Sequence, residues 1–297
     1  MKRTVYSGTY AQGGIYKVYF DEGRFGKPEL FCAIDSPKYI CKGGDFLVTL
    51  YKEDDGKAGV AVIDEKGSIV SKLAYEDVVS CYVTSKDDMI YTANFHEGTF
   101  SALKYTDGKI ELIKKIKIRD KAGCHQLLFW KNYLLGFALY TDNIYIFDKD
   151  FECVGTISFP EGTGPRHGVF SEDGKYLYVV SELSNEVFVI SAGDWKVLDH
   201  VQLCDDKKAT SAAIRLDGNS LYVSVRGQDK VFALEVRDEK LKITWCKDCG
   251  GQHPRDMIFA DGYCICANRF TGNLTSLGKE GVTDSAEVPD AVSLMII

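Results

Sequence analysis

Histidine, arginine and carboxylate side chains recur at two positions of a pattern that repeats along this chain of 297 residues. The first position lies at the entry to an apolar run, and the second lies at the end of the next apolar run. The first position supplies His125, Arg166, His167, His253 and Arg255. The second position supplies Asn94, His96, Glu182, Arg226 and Asn268. Four of the five histidines belong to this set, which is therefore the candidate site of the chain.

These side-chain types suit acid–base chemistry on an anionic molecule. Three arginines are present, and a guanidinium fork matches the oxygens of a carboxylate or phosphate. An imidazole or a carboxylate in the same pocket can act as general base or general acid. The alternative is that the polar residues only solvate the mouth of a channel. The convergence of arginine, histidine and glutamate favours a functional site.

The elements that must position these residues belong to a strand-rich unit that recurs six times, at intervals of 41 to 45 residues. The first apolar run of each copy is anchored by Pro37, Ser80, His125, Arg166, Ser211 or Arg255. The predicted second strands are residues 46–50, 89–93, 133–137, 176–180, 220–225 and 263–267. A repeat of this length with three or four short strands predicts a propeller blade. A propeller gathers loops from every blade at one end of its channel, so the two positions should meet there.

The two ends of the chain complement each other. Residues 288–297 resemble an anchor followed by a first strand, whereas residues 4–9 and 14–20 resemble a second and a third strand. Joining the ends completes a further blade and removes sheet edges that would otherwise be exposed. We therefore predict an all-β, seven-bladed β-propeller that forms a single domain over residues 1–297.

Composition excludes several other classes of protein. The formal net charge is −7, from 36 basic and 43 acidic residues, which disfavours binding to nucleic acid or to an anionic membrane. The basic segment at residues 109–119 alternates charged and apolar residues and is interpreted as a half-buried strand. No apolar segment follows the basic amino terminus, and no run approaches the roughly 20 residues that span a bilayer. We expect a cytoplasmic protein.

Ten cysteines raise the question of a metal or redox site. Cys246 and Cys249 form a C-x-x-C pair, and Cys264 and Cys266 follow downstream. Together they offer four thiolates for zinc, or a redox pair. The last two lie in an apolar run, where a strand places both on one face, and reduced cysteine packs as a small hydrophobe. Core packing is the favoured interpretation, and no metal or cofactor is predicted.

Several segments resemble the seven-bladed propeller lactonases, a family that includes bacterial 6-phosphogluconolactonases and fungal carboxymuconate-cyclising enzymes. The resemblance rests on GPRH at 164–167 with residues 173–182, on SAAIR at 211–215 with residues 221–227, and on HPRD at 253–256. Weaker matches lie at residues 6–10, 93–96 and 124–126. The resemblance implies an active site of His125, Arg166, Glu182 and a later arginine, either Arg255 or Arg226. The chain departs from the family pattern at Ser181, Val225 and Ala138.

On this basis the first hypothesis is hydrolysis of a sugar lactone, with 6-phosphogluconolactone as the preferred substrate. His125 or Glu182 would take a proton from the attacking water, and Arg166 would stabilise the oxyanion. Arg226 or Arg255 would hold the phosphate. The predicted partner is thus a small anionic substrate, a phosphorylated or carboxylated lactone, and the sequence carries no signal for an oligomeric state.

Two alternatives use the same fold. A muconate-type cycloisomerase would bind several substrate carboxylates through the arginines and donate a proton to carbon during ring closure. A non-catalytic propeller would instead bind a protein on its face through exposed aromatic anchors, for which Phe95, Tyr140 and Phe270 are candidates.

Overall fold

A ring of seven antiparallel β-sheets makes up the computed structural model, which describes residues 2–11, 13–237 and 239–297. Six of the sheets each contain four strands that are consecutive in the chain, and the seventh combines strands from both ends. This arrangement confirms the prediction of an all-β, seven-bladed propeller. We number the blades 1 to 7 in chain order, beginning with the sheet that holds the amino-terminal strands.

The strands follow one another blade by blade. Blades 1 and 2 contain β1 (Arg3–Thr9), β2 (Ile15–Asp21), β3 (Arg24–Phe25), β4 (Glu29–Cys32), β5 (Ile40–Gly43), β6 (Phe46–Lys52), β7 (Ala58–Ile63) and β8 (Ile69–Glu76). Blades 3 and 4 contain β9 (Tyr82–Lys86), β10 (Met89–Asn94), β11 (Thr99–Thr106), β12 (Lys109–Lys117), β13 (Cys124–Trp130), β14 (Tyr133–Ala138), β15 (Asn143–Phe147) and β16 (Cys153–Ser158). Blades 5 and 6 contain β17 (Pro165–Phe170), β18 (Tyr176–Ser181), β19 (Glu186–Ser191), β20 (Val197–Gln202), β21 (Thr210–Asp217), β22 (Ser220–Arg226), β23 (Lys230–Arg237) and β24 (Lys240–Asp248). Blade 7 contains β25 (Pro254–Ala260), β26 (Tyr263–Asn268), β27 (Asn273–Leu277) and β28 (Val282–Glu287), and β29 (Ala291–Ile296) returns to blade 1.

The second strand of every repeat begins at the predicted residue. Strands β6, β10, β14, β18, β22 and β26 start where the sequence places them and extend one or two residues past the predicted end. Apolar, β-branched and aromatic residues dominate these strands because the neighbouring blades cover both of their faces. In β18, for example, every residue after Tyr176 is buried.

Closure of the ring occurs in blade 1. Strand β29 pairs antiparallel with β1, with Val5 opposite Ile296 and Gly8 opposite Ser293. The first strands of all seven blades (β29, β5, β9, β13, β17, β21 and β25) each contact the first strands of both neighbouring blades, so they form a continuous ring around the axis. The predicted pairing of the two chain ends is confirmed.

Outer strands behave differently from inner ones. β24 alternates between exposed and partly buried residues along its length, as expected of a strand with one solvated face, and β12 does so except at residues 111–113, which are all exposed. The basic segment beginning at Lys109 is the outer strand β12, as its alternation predicts. A single turn of 3-10 helix, Leu139–Thr141, follows β14, and no helix of the described residues is long and apolar enough to cross a membrane.

The cysteines are all unpaired. Cys264 and Cys266 lie side by side in β26, with their Sγ atoms 3.9 Å apart, and both pack in a buried apolar cluster with Cys249. Cys246 is exposed on the outer strand β24, away from this cluster. Across residues 2–11, 13–237 and 239–297, no group of three or more His, Cys, Asp or Glu side chains is arranged to hold a metal ion.

Candidate active site

A cavity of about 190 Å³ lies where the entries to the first strands meet the ends of the second strands. Its lining residues come from all seven blades, either from the strands themselves or from the loops next to them. They are Tyr10, Lys38, Val79, Cys81, Phe95, His96, His125, Glu182, Arg226 and Arg255. The structure therefore brings both repeated positions to one place, and the volume suits a small ligand.

Local backbone irregularities position three of the predicted site residues. The pairing of first and second strands shifts register between Pro165 and His167 in blade 5. Equivalent shifts flank His125 in blade 4 and Arg255 in blade 7. Each shift leaves one residue of the first strand without a partner opposite it, as in a β-bulge, and bulges commonly re-aim a side chain beside an active site. Arg166, His125 and Arg255 are these unpaired residues.

Arg166, Glu182 and Arg226 form an ion-pair cluster beside the cavity. Oε2 of Glu182 accepts a hydrogen bond from Nε of Arg166 at 2.7 Å and lies 2.9 Å from Nη2 of Arg226. Arg166 is only 1% exposed, and its Nη1 also donates to the carbonyl oxygen of Ala212 at 2.6 Å. Burial alone would raise the pKa of Glu182, but Arg226 and Arg166 outweigh it and hold that pKa below its ordinary value. Glu182 is thus an ionised carboxylate with one oxygen shared by two cations.

The same arrangement acts on the buried arginine. Burial, together with the positive charge of Arg226, lowers the pKa of Arg166 to about 9, while Glu182 opposes this shift. Arg166 therefore remains a cation at neutral pH. It is buried, it lies outside the lining of the cavity, and it donates to Glu182 through Nε and to a backbone carbonyl through Nη1, so it fixes the carboxylate.

His125 and His167 form a second pair at the base of the site. Nδ1 of His125 lies 3.0 Å from Nε2 of His167, and both rings are buried. Burial, reinforced by Arg166, holds the pKa of each imidazole well below its ordinary value. Both histidines are therefore neutral at pH 7. His125 lines the cavity and keeps Nε2 available, whereas His167 lies behind it with a buried Nδ1 that has no partner among the described residues.

A third group is built around the aromatic ring of Tyr10. The guanidinium of Arg269 lies 3.4 Å from the ring centroid, Nζ of Lys38 lies at 4.5 Å and the guanidinium of Arg255 at 5.3 Å. Arg269 also approaches Asp290 at 3.8 Å. Lys38 and Arg255, in contrast, have no carboxylate within ion-pair distance in the described part of the chain. We call Tyr10, Lys38, Arg255 and Arg269 the Tyr10 cation group.

Two further predicted residues lie at the rim. His96 is exposed and lines the cavity, and burial of part of its ring together with Lys38 lowers its pKa. The ring of His253 packs 4.2 Å from that of Phe270, and burial, aided by Arg226, lowers the pKa of His253 to about 3. His253 borders a neighbouring recess that also includes Arg226.

The two predicted asparagines lie away from the cavity. Nδ2 of Asn94 donates to the carbonyl oxygen of Val78 at 2.6 Å, and Nδ2 of Asn268 donates to Oγ1 of Thr275 at 2.9 Å. Both side chains are fully buried. The structure thus gives them a part in holding adjacent loops and strands.

Sequence reasoning missed Tyr10, Lys38, Cys81 and Arg269. A signal for two of them exists, because Tyr10 and Arg269 directly follow the second strands β1 and β26, as Glu182 directly follows β18. Lys38 and Cys81 each come one residue after an anchor of the repeat. Examining the same position in every copy, whatever its residue type, would have found all four.

The comparisons with known proteins agree with the fold. The family model described as "Lactonase, 7-bladed beta-propeller" matches residues 4–283. The chain belongs to this family. A 6-phosphogluconolactonase of Bacillus subtilis is 27% identical over an alignment that covers 97% of this chain and 95% of the relative. Family membership and this relative support lactone hydrolysis as the activity.

Solved structures extend the comparison. A protein from Lactobacillus plantarum superposes with a TM-score of 0.91 at 25% identity, with full coverage of both chains. A periplasmic gluconolactonase of Pseudomonas aeruginosa gives a TM-score of 0.87 at 20% identity, covering 100% of this chain and 99% of the other. At that identity the second likeness is evidence of a shared fold.

Proposed function

We propose that this chain hydrolyses a sugar lactone and that its substrate is 6-phosphogluconolactone. The observation that carries the proposal is the composition of the cavity. A neutral imidazole and an ionised Glu182 that is fixed by two arginines lie beside cations that have no carboxylate partner among the described residues. Membership of the lactonase family supports lactone hydrolysis, and these cations favour an anionic substrate.

In the proposed reaction, water attacks the ring carbonyl carbon of the lactone. Nε2 of His125 takes a proton from the water as the new C–O bond forms. The tetrahedral intermediate then collapses, and the bond from the carbonyl carbon to the ring oxygen breaks while that oxygen takes the proton from His125. His125 is neutral again, and the product is an open-chain hydroxy acid.

This role for His125 sets a requirement on the histidine pair. For Nε2 to accept a proton, the hydrogen of neutral His125 must lie on Nδ1 and be donated to Nε2 of His167. His167, predicted as a substrate-binding residue, is better suited to fixing this tautomer because it lies behind His125. We therefore assign His167 a positioning role.

The arginines divide into two roles. Nε and Nη2 of Arg226 donate to the carbonyl oxygens of Thr210 and Ser211, and Nη2 also pairs with Glu182. Arg226 lines the cavity and its Nη1 has no partner among the described residues, so we assign this group to the carbonyl oxygen on which negative charge develops. Removing one such donor typically costs about 3 kcal/mol of transition-state stabilisation. Arg166, buried and occupied by Glu182 and a backbone carbonyl, holds the carboxylate in place instead of contacting the oxyanion directly.

The electrostatics of the site suit an anionic substrate in a further way. Burial and the cations around the cavity depress the pKa of His125, which weakens it as a base. A bound dianion would offset the charge of Arg255, one of those cations, and so raise the pKa of His125 towards the working pH. The substrate would thereby activate the base that acts on it.

We also propose a cytoplasmic location. All ten cysteines are unpaired, as is usual in a reducing compartment. Cell fractionation tests this assignment, because a related fold occurs in a periplasmic enzyme of Pseudomonas aeruginosa. Recovery of the protein in the periplasmic fraction would contradict it.

The test of function is a rate measurement on purified protein. Freshly prepared 6-phosphogluconolactone and glucono-δ-lactone are each followed by proton release, with His125→Asn and His200→Asn as variants. His200 is a matched control, since it is 59% exposed and lies outside the cavity. We expect His125→Asn to lose most of the activity and His200→Asn to keep it. A wild-type rate no faster than spontaneous opening of either lactone would refute the proposal, and consumption of a muconate instead would favour a cycloisomerase.

A further inference from the structure

The Tyr10 cation group has a feature that the proposed reaction does not use. Lys38 and Arg255 both line the cavity, and both lie close to the same aromatic ring. In the described residues neither cation has an ion-pair partner. Among the described residues, Glu182 is the only carboxylate that lines the cavity, and it is already shared by Arg166 and Arg226. Two positive charges at one side of the cavity are therefore left for a ligand.

The aromatic ring orients these cations without neutralising them. A tyrosine face attracts ammonium and guanidinium groups through its quadrupole, so it limits their movement while they keep their full charge. Arg269 packs against the same ring at 3.4 Å and approaches Asp290, which anchors Tyr10 from the adjacent loop. A carboxylate in the place of Tyr10 would hold the cations equally well but would cancel the charge that a ligand could use.

Burial and neighbouring positive charges both indicate that this side of the cavity favours an anion. Burial, together with the nearby charge of Arg255, lowers the pKa of Lys38, and burial with Arg226 lowers that of Arg255. Burial is the main cause of both shifts, and the charge of Glu182 opposes the shift of Arg255 only in part, so both cations are partly removed from water. The hydroxyl of Tyr10, for which no hydrogen bond is found in the described part of the chain, adds a neutral donor.

We infer that Lys38 and Arg255, held by Tyr10, form a subsite for a phosphate monoester. A phosphate carries close to two negative charges at neutral pH in one compact group, which matches two adjacent unpaired cations. Lysine binds it as a point charge and arginine as a fork. The inference rests on the proposed function, because it assigns the part of the lactone that this subsite holds. Selection of phosphorylated over unphosphorylated lactone then depends on Lys38.

Lys38→Met tests the subsite, because methionine keeps an unbranched side chain and removes the ammonium group with its charge and N–H donors. Lys42→Met is the matched control, since Lys42 is exposed on the neighbouring strand β5. The ratio of kcat/KM for 6-phosphogluconolactone to that for glucono-δ-lactone should fall about tenfold or more in Lys38→Met, as expected for loss of a charge-assisted contact. Lys42→Met should keep the wild-type ratio.

A binding measurement separates this inference from the proposed function. Isothermal titration calorimetry with 6-phosphogluconate and with gluconate measures the affinity of the subsite without catalysis. A loss of 6-phosphogluconate affinity in Lys38→Met would support the subsite even if wild-type protein hydrolysed neither lactone. An unchanged kcat/KM ratio together with unchanged 6-phosphogluconate affinity in Lys38→Met would overturn the inference, and lactone hydrolysis by the wild type would still stand.

Discussion

Glu182→Gln removes the negative charge that Arg166 and Arg226 share while keeping the shape of the side chain. Arg166 is 1% exposed and Glu182 is 17% exposed, so water cannot fully replace the lost charge around the buried guanidinium. Breaking a buried ion pair by removing one partner typically costs about 3 to 5 kcal/mol of unfolding free energy. Because Arg226 and Glu182 reach the cavity, we expect the lower limit, about 3 kcal/mol.

The assay is equilibrium unfolding in urea at pH 7, with thermal unfolding as a second measurement. For a chain of this length, a loss of about 3 kcal/mol lowers the midpoint temperature by roughly 5 to 10 °C. Glu186→Gln is the control. Glu186 lies four residues further along in the same blade and pairs at 2.9 Å with His200, which is well exposed, so its loss should cost under about 1 kcal/mol.

The pH dependence gives a sharper signature. The two arginines hold the pKa of Glu182 below its ordinary 4.5 in the folded protein, against the effect of burial. Its stabilising contribution is therefore complete above pH 4.5 and is lost as the pH falls through the lower folded-state pKa. The stability difference between wild type and Glu182→Gln should shrink below pH 4.5.

Two results would refute this reasoning. One is a cost for Glu182→Gln no larger than that for Glu186→Gln. The other is a stability difference that stays constant down to pH 3. The double variant Arg166→Met with Glu182→Gln should recover part of the stability that Glu182→Gln loses, because it removes the unpaired buried cation.

Three further predictions concern titration and reactivity. His125 works as a base only when it is neutral, and its pKa is well below 6.5. We therefore expect kcat/KM to stay level as the pH falls through 6.5, and a decline centred at or above 6.5 would contradict this. His167→Phe should lower kcat about tenfold with little change in KM, because it removes the partner that orients His125, and His167 itself is not expected to touch the substrate. An equal effect on KM in steady-state kinetics would argue that His167 binds the substrate directly. Iodoacetamide at pH 8 should label the exposed Cys153 and Cys246 and spare Cys81, because burial raises the pKa of Cys81 to about 11. Early labelling of Cys81, followed by mass spectrometry, would count against that shift.

The fold was predictable from the sequence because its signals are local and repeated. Apolar runs and turn residues recur at a nearly constant interval, so six blades are visible directly. The seventh blade could be predicted because residues 288–297 have the pattern of a first strand, whereas residues 4–20 supply only a second and a third strand. The start and register of each second strand could also be predicted, because a strand that lies between two neighbouring blades must be apolar on both faces.

The site was only partly predictable, because it depends on single-residue offsets. Adjacent residues of a strand face opposite sides, so a position one residue early selects a different environment. Asn94 and Asn268 end their strands and are buried in the fold, whereas Phe95 lines the cavity and Arg269 packs on Tyr10. The repeat could place the loops at the channel but could not resolve this offset.

Charge states were equally inaccessible to the sequence. Glu182 and His125 are equivalent candidates for the base when only residue types are known. We propose His125 because two arginines share an oxygen of Glu182 while Nε2 of His125 remains available. Which cations lack an ion-pair partner among the described residues, as Lys38 does, likewise depends on the three-dimensional arrangement alone.

The pairing of β29 with β1 has a consequence for biosynthesis. During translation, β29 is made roughly 280 residues after β1, the strand that Tyr10 follows. At about 5 to 20 residues per second, β1 waits for its partner for roughly 15 to 60 s. During that time the edge of β1 is unpaired, and the ring around the cavity is open. The geometry of the Tyr10 cation group is therefore set last, after translation has passed through every blade.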